Sequence, residues 1–301
     1  MNRLESMSIL VAAVEAGSLS AAGRRLGMPL ATVSRKVGEL EAHLKTRLLN
    51  RSNRKLTLTD AGEGYVMACK RILDAVDEAE RGAAGEYEAP KGDLIVSAPI
   101  LFGRSYVLPV AIEFLSAFPD VDMHVIFSDR MVNLLEERVD LAVRIGDLPD
   151  SSLLARRVGS IGRVVCASPA YLEKCGTPKT PADLREHSCI TFEGLTSAVR
   201  WSFGGEKAEP PVAIRSRLTV NAAQAAIDAA IAGVGIARVL SYQVADAVGA
   251  GALVVVLREF EPAPWPVNLV YTGGRFLPLK VRAFLDFAAP RLKDKLSRLE
   301  I

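Results

Sequence analysis

Four polar residues in close succession, Thr32, Ser34, Arg35 and Lys36, carry the most pointed chemistry in this sequence. They lie in LATVSRKVGELEAHL, residues 30 to 44, among apolar residues Leu30, Val33, Val37, Leu40 and Leu44 that recur at steps of three and four. That period predicts a helix whose apolar face is buried by Leu30, Val33, Val37 and Leu40, with the polar four turned outward near its N-terminal end. Short hydroxyl side chains permit close approach to a DNA major groove, and an arginine fork matches the paired acceptors O6 and N7 of guanine. Arg35 is the first choice for a base contact, against the alternative of an arginine that meets only phosphate or solvent. Pro29 and Thr32, at the helix start, suit bases or a thymine methyl, while Ser34 and Lys36 suit phosphates. Glu39 and Glu41 would repel phosphates, so reading is expected from the first two turns.

The surrounding charge points the same way. The whole chain of 301 residues has a formal net charge of only +2, but between Arg24 and Lys55 nine basic residues face two acidic ones. A local excess of that kind is the electrostatic footprint of a polyanion partner.

Several elements must position these residues. Leu4, Met7, Leu10, Val11 and Val14 predict a first helix over residues 3 to 16, which Gly17 stops. Ser18 is placed to cap a short second helix, LSAAGRRL. Gly27 makes the turn and Pro29 opens the third helix, so the pieces form a helix-turn-helix. Alternation of Leu56 and Leu58 with Thr57 and Thr59, beside Ser52-Asn53-Arg54-Lys55, predicts a wing with a basic tip. Ala61, Tyr65, Ala68, Ile72, Ala75 and Ala79 then form a heptad seam on a long helix to about residue 86, expected to pack on its twin in a dimer. The alternative is a helix that packs only on its own domain.

GAAGEYEAPKG, residues 82 to 92, marks a hinge. Beyond it strand-like and helix-like runs alternate: DLIVSA, RSYVLPVAIEFLSAF, VDMHVIF, DRMVNLLEER, VDLAVRIG. A second set follows, with GRVVCAS, CITF, VRWSF and IRSRLTV as strands, NAAQAAIDAAIAG as a helix, and GIARV, VNLVYT and a last helix from Leu279 to about Leu296. Such alternation predicts βαβ units and a largely parallel sheet.

Other classes find little support. With 50% apolar and 24% charged residues the composition is that of a soluble globular protein, and runs such as ALVVVL are strand-sized. Arg3, Glu5 and Glu15 argue against a secretion signal, which makes the cytoplasm the expected location. The four cysteines form no CxxC pair and His43, His124 and His187 stand apart, so buried free thiols are expected and no metal site. There is no GxSxG, no HExxH and no glycine-rich phosphate loop, and the sequence reads as a non-enzyme.

Taken in order, SLSAAGRRLGMPLATVSRKVGELEAHLKTRLLNRSNRKLTLTDAG resembles the winged helix-turn-helix of the LysR-type transcriptional regulators. FPDVDMHVIFSDRMVNLLEERVDLAVRIGDLPDSSLLARRVG, ASPAYLEKCGTPKTPADLREHSCITF and AAIAGVGIARV are similar to that family's effector-binding region, so the resemblance covers nearly the whole chain. It implies an α/β fold class with an N-terminal winged helix-turn-helix, a linker helix, and two Rossmann-like subdomains resembling type 2 periplasmic binding proteins. The implied domains are 1–60 (DNA binding), 61–90 (dimerisation helix and hinge) and 91–301 (effector binding). Within the last, subdomain I takes about 91–162 and 267–301, and subdomain II about 163–266.

The implied function is a sequence-specific regulator modulated by a small effector held between the subdomains; the alternative is a ligand sensor that works mainly through protein partners. The expected DNA-binding set is Ser18, Pro29, Thr32, Ser34, Arg35, Lys36, Arg51, Asn53 and Arg54. By family position, Ala98, Pro99, Ile100, Phe102, Ser128, Arg144 and Ile145 are expected to face Phe192, Asn221 and Ala222 across the effector site. Arg144 is read either as a carboxylate clamp or as an ion-pair partner of Asp140 or Asp147. No cofactor is implied beyond an effector, for which a small carboxylate is the class the family suggests. The implied partners are double-stranded promoter DNA, a second copy in a homodimer or homotetramer, and RNA polymerase, with no membrane.

Overall fold

The computed structural model describes residues 2–52, 55–84, 89–148, 153–192, 200–204, 211–273 and 277–299. The chain divides into two compact units, residues 1–88 and 89–301.

The first unit runs α1 (Arg3–Glu15), α2 (Leu19–Leu26), α3 (Leu30–Leu44), β1 (Leu49–Ser52), β2 (Lys55–Leu58) and α4 (Asp60–Ala84). Local signals set its boundaries. Asn2 caps α1 by accepting from Glu5 N, and Ser18 Oγ caps α2 by accepting from Ala21 N at 3.1 Å. Gly27 closes α2 at φ 64°, a left-handed conformation that costs glycine nothing. Leu10, Ala22, Val33, Val37, Leu40, Leu48, Leu49 and Val66 share one core. Leu30, expected inside, is 51% exposed, because the buried face of α3 begins only at Val33. Val66 and Cys69 on α4 are buried, α4 packs on α1, and Lys70 Nζ reaches Glu15 Oε1 at 3.2 Å.

The second unit begins with β3 (Gly92–Ala98), α5 (Ile100–Phe102), a π-helical turn (Gly103–Val107), α6 (Leu108–Ala117), β4 (Val121–Phe127), β5 (Leu141–Ile145) and β6 (Leu153–Ile161). It continues with β7 (Arg163–Ala167), α7 (Pro169–Cys175), β8 (Ser188–Phe192), β9 (Arg200–Trp201), β10 (Val212–Ala213), β11 (Arg215–Val220), α8 (Ala223–Ile231) and β12 (Ile236–Leu240). Last come α9 (Ser241–Gly249), β13 (Val254–Val256), β14 (Trp265–Thr272) and α10 (Leu279–Ser297). Two five-stranded sheets result, in the orders β4-β3-β5-β14-β6 and β11-β8-β12-β7-β13. The chain leaves the first sheet after Ile161, enters the second at Arg163, and returns between Val256 and Trp265.

Both sheets are mixed, where a largely parallel arrangement was expected. Strands β4, β3 and β5 are mutually parallel, as are β11, β8 and β12. Strand β14 is antiparallel to both β5 and β6, and β7 is antiparallel to both β12 and β13. The strands that lead across and back cannot keep the βαβ direction, because no crossover helix precedes them.

DRMVNLLEER, expected as a helix, forms turns instead. Asn133 Oδ1 accepts from Leu135 N at 3.1 Å, Glu137 N–H donates to Asn133 O at 2.9 Å, and Arg138 takes a positive φ of 57° that stops the coil after one turn. VRWSF yields only the two-residue β9. Helix α9 has no counterpart in the expected elements.

The run Ile100–Ala117 is 18 residues long and apolar enough, at mean hydropathy 1.4, to match a membrane span by composition alone. Here it is a core element: Phe102, Val107, Val110 and Phe114 are buried against the first sheet and α10. Phe114 meets Phe284 edge-on with ring centroids 5.1 Å apart. Cys69, Cys166 and Cys189 are buried and Cys175 is exposed, which corrects the expectation of four buried thiols. Burial pushes the Cys166 and Cys189 thiols up to about 12, which keeps them protonated and unreactive.

Phe114→Ala removes the ring at the centre of this layer and should cost about 3–5 kcal/mol, measured as a lower urea midpoint with an unchanged slope.

Candidate DNA interface and effector site

On α3 the four outward residues do not behave alike. Arg35 is 60% exposed in its side chain and its Nη1 lies 2.5 Å from Glu39 Oε1, one helical turn on. An exposed i,i+4 pair of this kind contributes only about 0.3–0.5 kcal/mol, so Arg35 can be released at little cost. Lys36 is held differently: its side chain is 16% exposed and its Nζ lies 2.5 Å from Glu5 Oε2 on α1. The structure thus gives Lys36 a tie between α1 and α3. Thr32 and Ser34 are half-buried, and Pro29 is exposed at the N-cap, its carbonyl accepting from Thr32 N and Val33 N at 2.9 and 3.2 Å.

Ser18 is the α2 cap described above, and its hydroxyl also lies 3.3 Å from Ser20 Oγ. Arg51 pairs through its backbone with Leu56 in the β1–β2 hairpin, whose register runs from Leu49↔Leu58 to Ser52↔Lys55. The Arg51 side chain, Asn53 and Arg54 lie outside the described residues.

Glu41, read from sequence only as a repulsive charge, has a definite task. Its Oε1 accepts from Leu48 N at 2.8 Å and Leu49 N at 3.1 Å, which joins the end of α3 to the first strand of the wing. A carboxylate that takes two backbone N–H groups makes charge-assisted bonds in a part-buried setting. No residue pattern signals this, because both donors lie in the loop and strand beyond the helix.

On α4 the seam splits. Ala61, Ile72 and Ala75 are exposed, Tyr65 and Ala68 are half-buried, and the Ala79 side chain lies outside the described set. The neighbouring stripe of Val66 and Cys69 is the one taken up within the unit.

In the second unit the expected effector residues gather at strand ends. Ala98 ends β3 beside Phe127 at the end of β4, and Ser128 N–H donates to Ala98 O at 2.9 Å. Arg144 and Ile145 end β5, two rungs beyond the Ser97↔Ala142 pair. Across the unit, Phe192 ends β8 opposite Val220 of β11, and Asn221 and Ala222 follow to open α8. Ends of parallel strands are where open α/β sheets take ligands.

Pro99 caps α5, and Ile100, exposed, donates its N–H to Asp129 Oδ1 at 3.0 Å. Arg144 Nη2 donates to the Val132 carbonyl at 2.7 Å, and burial lowers the guanidinium's affinity for its proton. Its recorded bond therefore goes to backbone rather than to Asp140 or Asp147.

Phe102 is fully buried. Its ring stacks on Tyr106 at 4.9 Å and meets Tyr242 of α9 edge-on at 5.5 Å. Tyr106 and Tyr242 complete an aromatic triad at 5.8 Å that joins the two halves of the unit, and Leu101 packs against the cores of both. Burial pushes both phenols up, so they stay neutral. Phe102 thus belongs to the joint under the site. The i,i+4 spacing of Phe102 and Tyr106 was visible in sequence, whereas Tyr242, far along the chain, was not. Gly103 lies where a Cβ would overlap the Phe127 ring, which explains the glycine at the start of the π turn.

Comparison with known proteins bears on both units. The family model described as "LysR substrate binding domain" matches residues 88–293, and "Bacterial regulatory helix-turn-helix protein, lysR family" matches residues 4–63. A transcriptional repressor of Pseudomonas aeruginosa is 35% identical over 289 residues, covering 95% of this chain and 91% of that protein. The activator AaeR of Escherichia coli is 31% identical over 286 residues, covering 95% and 93%. The solved structure of CrgA, a LysR-type transcriptional regulator from Neisseria meningitidis, is similar at 32% identity and a TM-score of 0.61, covering 96% of this chain and 98% of that one.

Glu41→Ala leaves the Leu48 and Leu49 N–H groups without their acceptor and should destabilise the N-terminal unit by about 1–3 kcal/mol. Glu41→Gln, which keeps an acceptor oxygen, should lose less; equal losses in thermal unfolding would remove the assigned role.

Proposed function

The chain belongs to the LysR family of transcriptional regulators, and from that footing we propose how its parts divide the work. It is a DNA-binding regulator with an effector-binding domain, not an enzyme. In this proposal Arg35 reads a base in the major groove. The observation that carries it is the exposed guanidinium on the outer face of α3, held by the weak Glu39 pair. Pro29, Thr32 and Ser34 flank it, and Arg51, Asn53 and Arg54 supply backbone contacts from the wing. Lys36 is supported less as a phosphate contact than as a brace, because Glu5 already neutralises it.

The effector proposed is a small carboxylate at the ends of β3, β4 and β5, with Arg144 and Asn221 as its polar contacts. An effector shifts the regulator only by binding one arrangement of the two halves better than another. The regulator is proposed to act as a homodimer or homotetramer on promoter DNA in the cytoplasm, with RNA polymerase as a further partner. Exposed Ile72 and Ala75 on α4 support a twin-helix contact. On α6, exposed Leu108, Ile112 and Leu115 at helical spacing support a second self-contact.

Gel-shift titrations on DNA upstream of the gene and on scrambled DNA test the division. Arg35→Ala should lose about 1–3 kcal/mol of discrimination at one base position, whereas Arg54→Ala should weaken both DNAs alike. Equal losses from both variants on both DNAs would sink the assignment. For the effector, thermal shifts of the full chain against a panel of small carboxylates should show at least one hit that Arg144→Met abolishes.

A further inference from the structure

Arg238 lies in the middle of β12, opposite Val165 of β7, and is only 6% exposed. Its neighbours Ala237 and Val239 belong to the core beneath α8, while Arg238 points to the other side of the sheet, where Phe203 holds its guanidinium at 5.0 Å from the ring centroid. Its Nε, Nη1 and Nη2 are all shut off from solvent and, among the described residues, have no hydrogen-bond partner. Among the described residues the other buried side-chain nitrogen in this condition is Arg163 Nε. Arg163 is one diagonal step away in the sheet, since β12 is antiparallel to β7 with Leu240 opposite Arg163. On such a face diagonal neighbours stand about 7–8 Å apart, within reach of long side chains.

Two cations are therefore turned to the same face with little, among the described residues, to balance them. An arginine cannot escape burial by losing its proton at neutral pH, and leaving the charge unpaired costs several kcal/mol. An aromatic face returns about 0.5–2 kcal/mol and offers no acceptor for the N–H groups. Arg163 rests on Trp265 at 4.2 Å and feels the charge of Asp147. Glu261 Oε2 is 4.0 Å from where a Cβ would stand on Gly162, but the charge recorded as acting on it is that of Arg258. The like charge of Arg163, added to burial, brings Arg238 down to about 10. An anionic acceptor with two oxygens at guanidinium spacing matches these N–H groups in charge and geometry.

We propose that Arg238, with Arg163 beside it, is the receptor for a small oxyanion seated where the chain crosses between the two sheets. Arg163 opens β7 after the outward crossing, and Trp265 opens β14 after the return. An anion held there ties the second sheet to the segments that lead to the first. The guanidinium is closed over in the described state, so entry requires the crossing segments to part. A carboxylate and an inorganic oxyanion share the chemistry. The inference rests on other side chains than those in the effector reading of the strand ends.

Calorimetric titration of the full chain with sodium acetate and, separately, sodium sulfate tests it, with thermal unfolding in parallel. Saturable binding and a rising Tm are expected for at least one probe. Acetate alone identifies a carboxylate site, and both together identify a general oxyanion site. Arg238→Met should weaken binding about 10-fold or more, the loss expected when charge-assisted bonds are removed. It should also raise the Tm without anion. If Arg238→Met does not fold, Arg238→Lys, which keeps the charge but not the fork, should show the same weakening. No saturable binding by the unaltered chain, or binding that survives either Arg238 variant, overturns the proposal. Gel shifts read DNA binding independently, so failure here leaves the regulator assignment standing.

Discussion

The second unit depends on one constraint: the chain crosses between its sheets twice, at Gly162 and between Val256 and Trp265. The first crossing frees β7 to start a second sheet, and the return makes β14 run antiparallel between β5 and β6. The antiparallel members of both sheets follow from this. Between the two halves, α5, the π turn and α9 place Phe102, Tyr106 and Tyr242 in one cluster. Each sheet keeps its own core, so a change of angle at this joint need not unfold either sheet.

The N-terminal unit was legible in sequence because its determinants are local. A cap at Ser18, a left-handed Gly27, and apolar steps of three and four place three helices within a residue or so of their observed ends. The strand order of the second unit was not legible, since pairings such as β14 with β5 join residues more than a hundred positions apart, and alternation of elements carries no direction. DRMVNLLEER misled for another reason: its apolar spacing suits a helix, but Asn133 bonds to nearby backbone and Arg138 turns left-handed.

The candidate sites divide along the same line. The exposure of Arg35 follows from its position on a helix face, and sequence sufficed. The fate of Lys36 rests on Glu5, 31 residues away, and that of Glu41 on two backbone donors beyond the helix. The burial of Phe102 depends on Tyr242, which no periodicity connects to it.

The Arg35–Glu39 pair has a consequence for how binding responds to salt. If Arg35 docks on a base as proposed, the chain gives up an ion pair of its own, a bond that added salt already weakens. Displaced counterions make every phosphate contact poorer as salt rises, with a slope of about −0.9 per contact. Opening the pair runs the other way, so specific complexes should lose affinity with salt less steeply than their number of phosphate contacts implies. Under the proposed reading, Glu39 would compete with DNA for Arg35, raising the threshold for engagement on every DNA and leaving the right base to supply the difference.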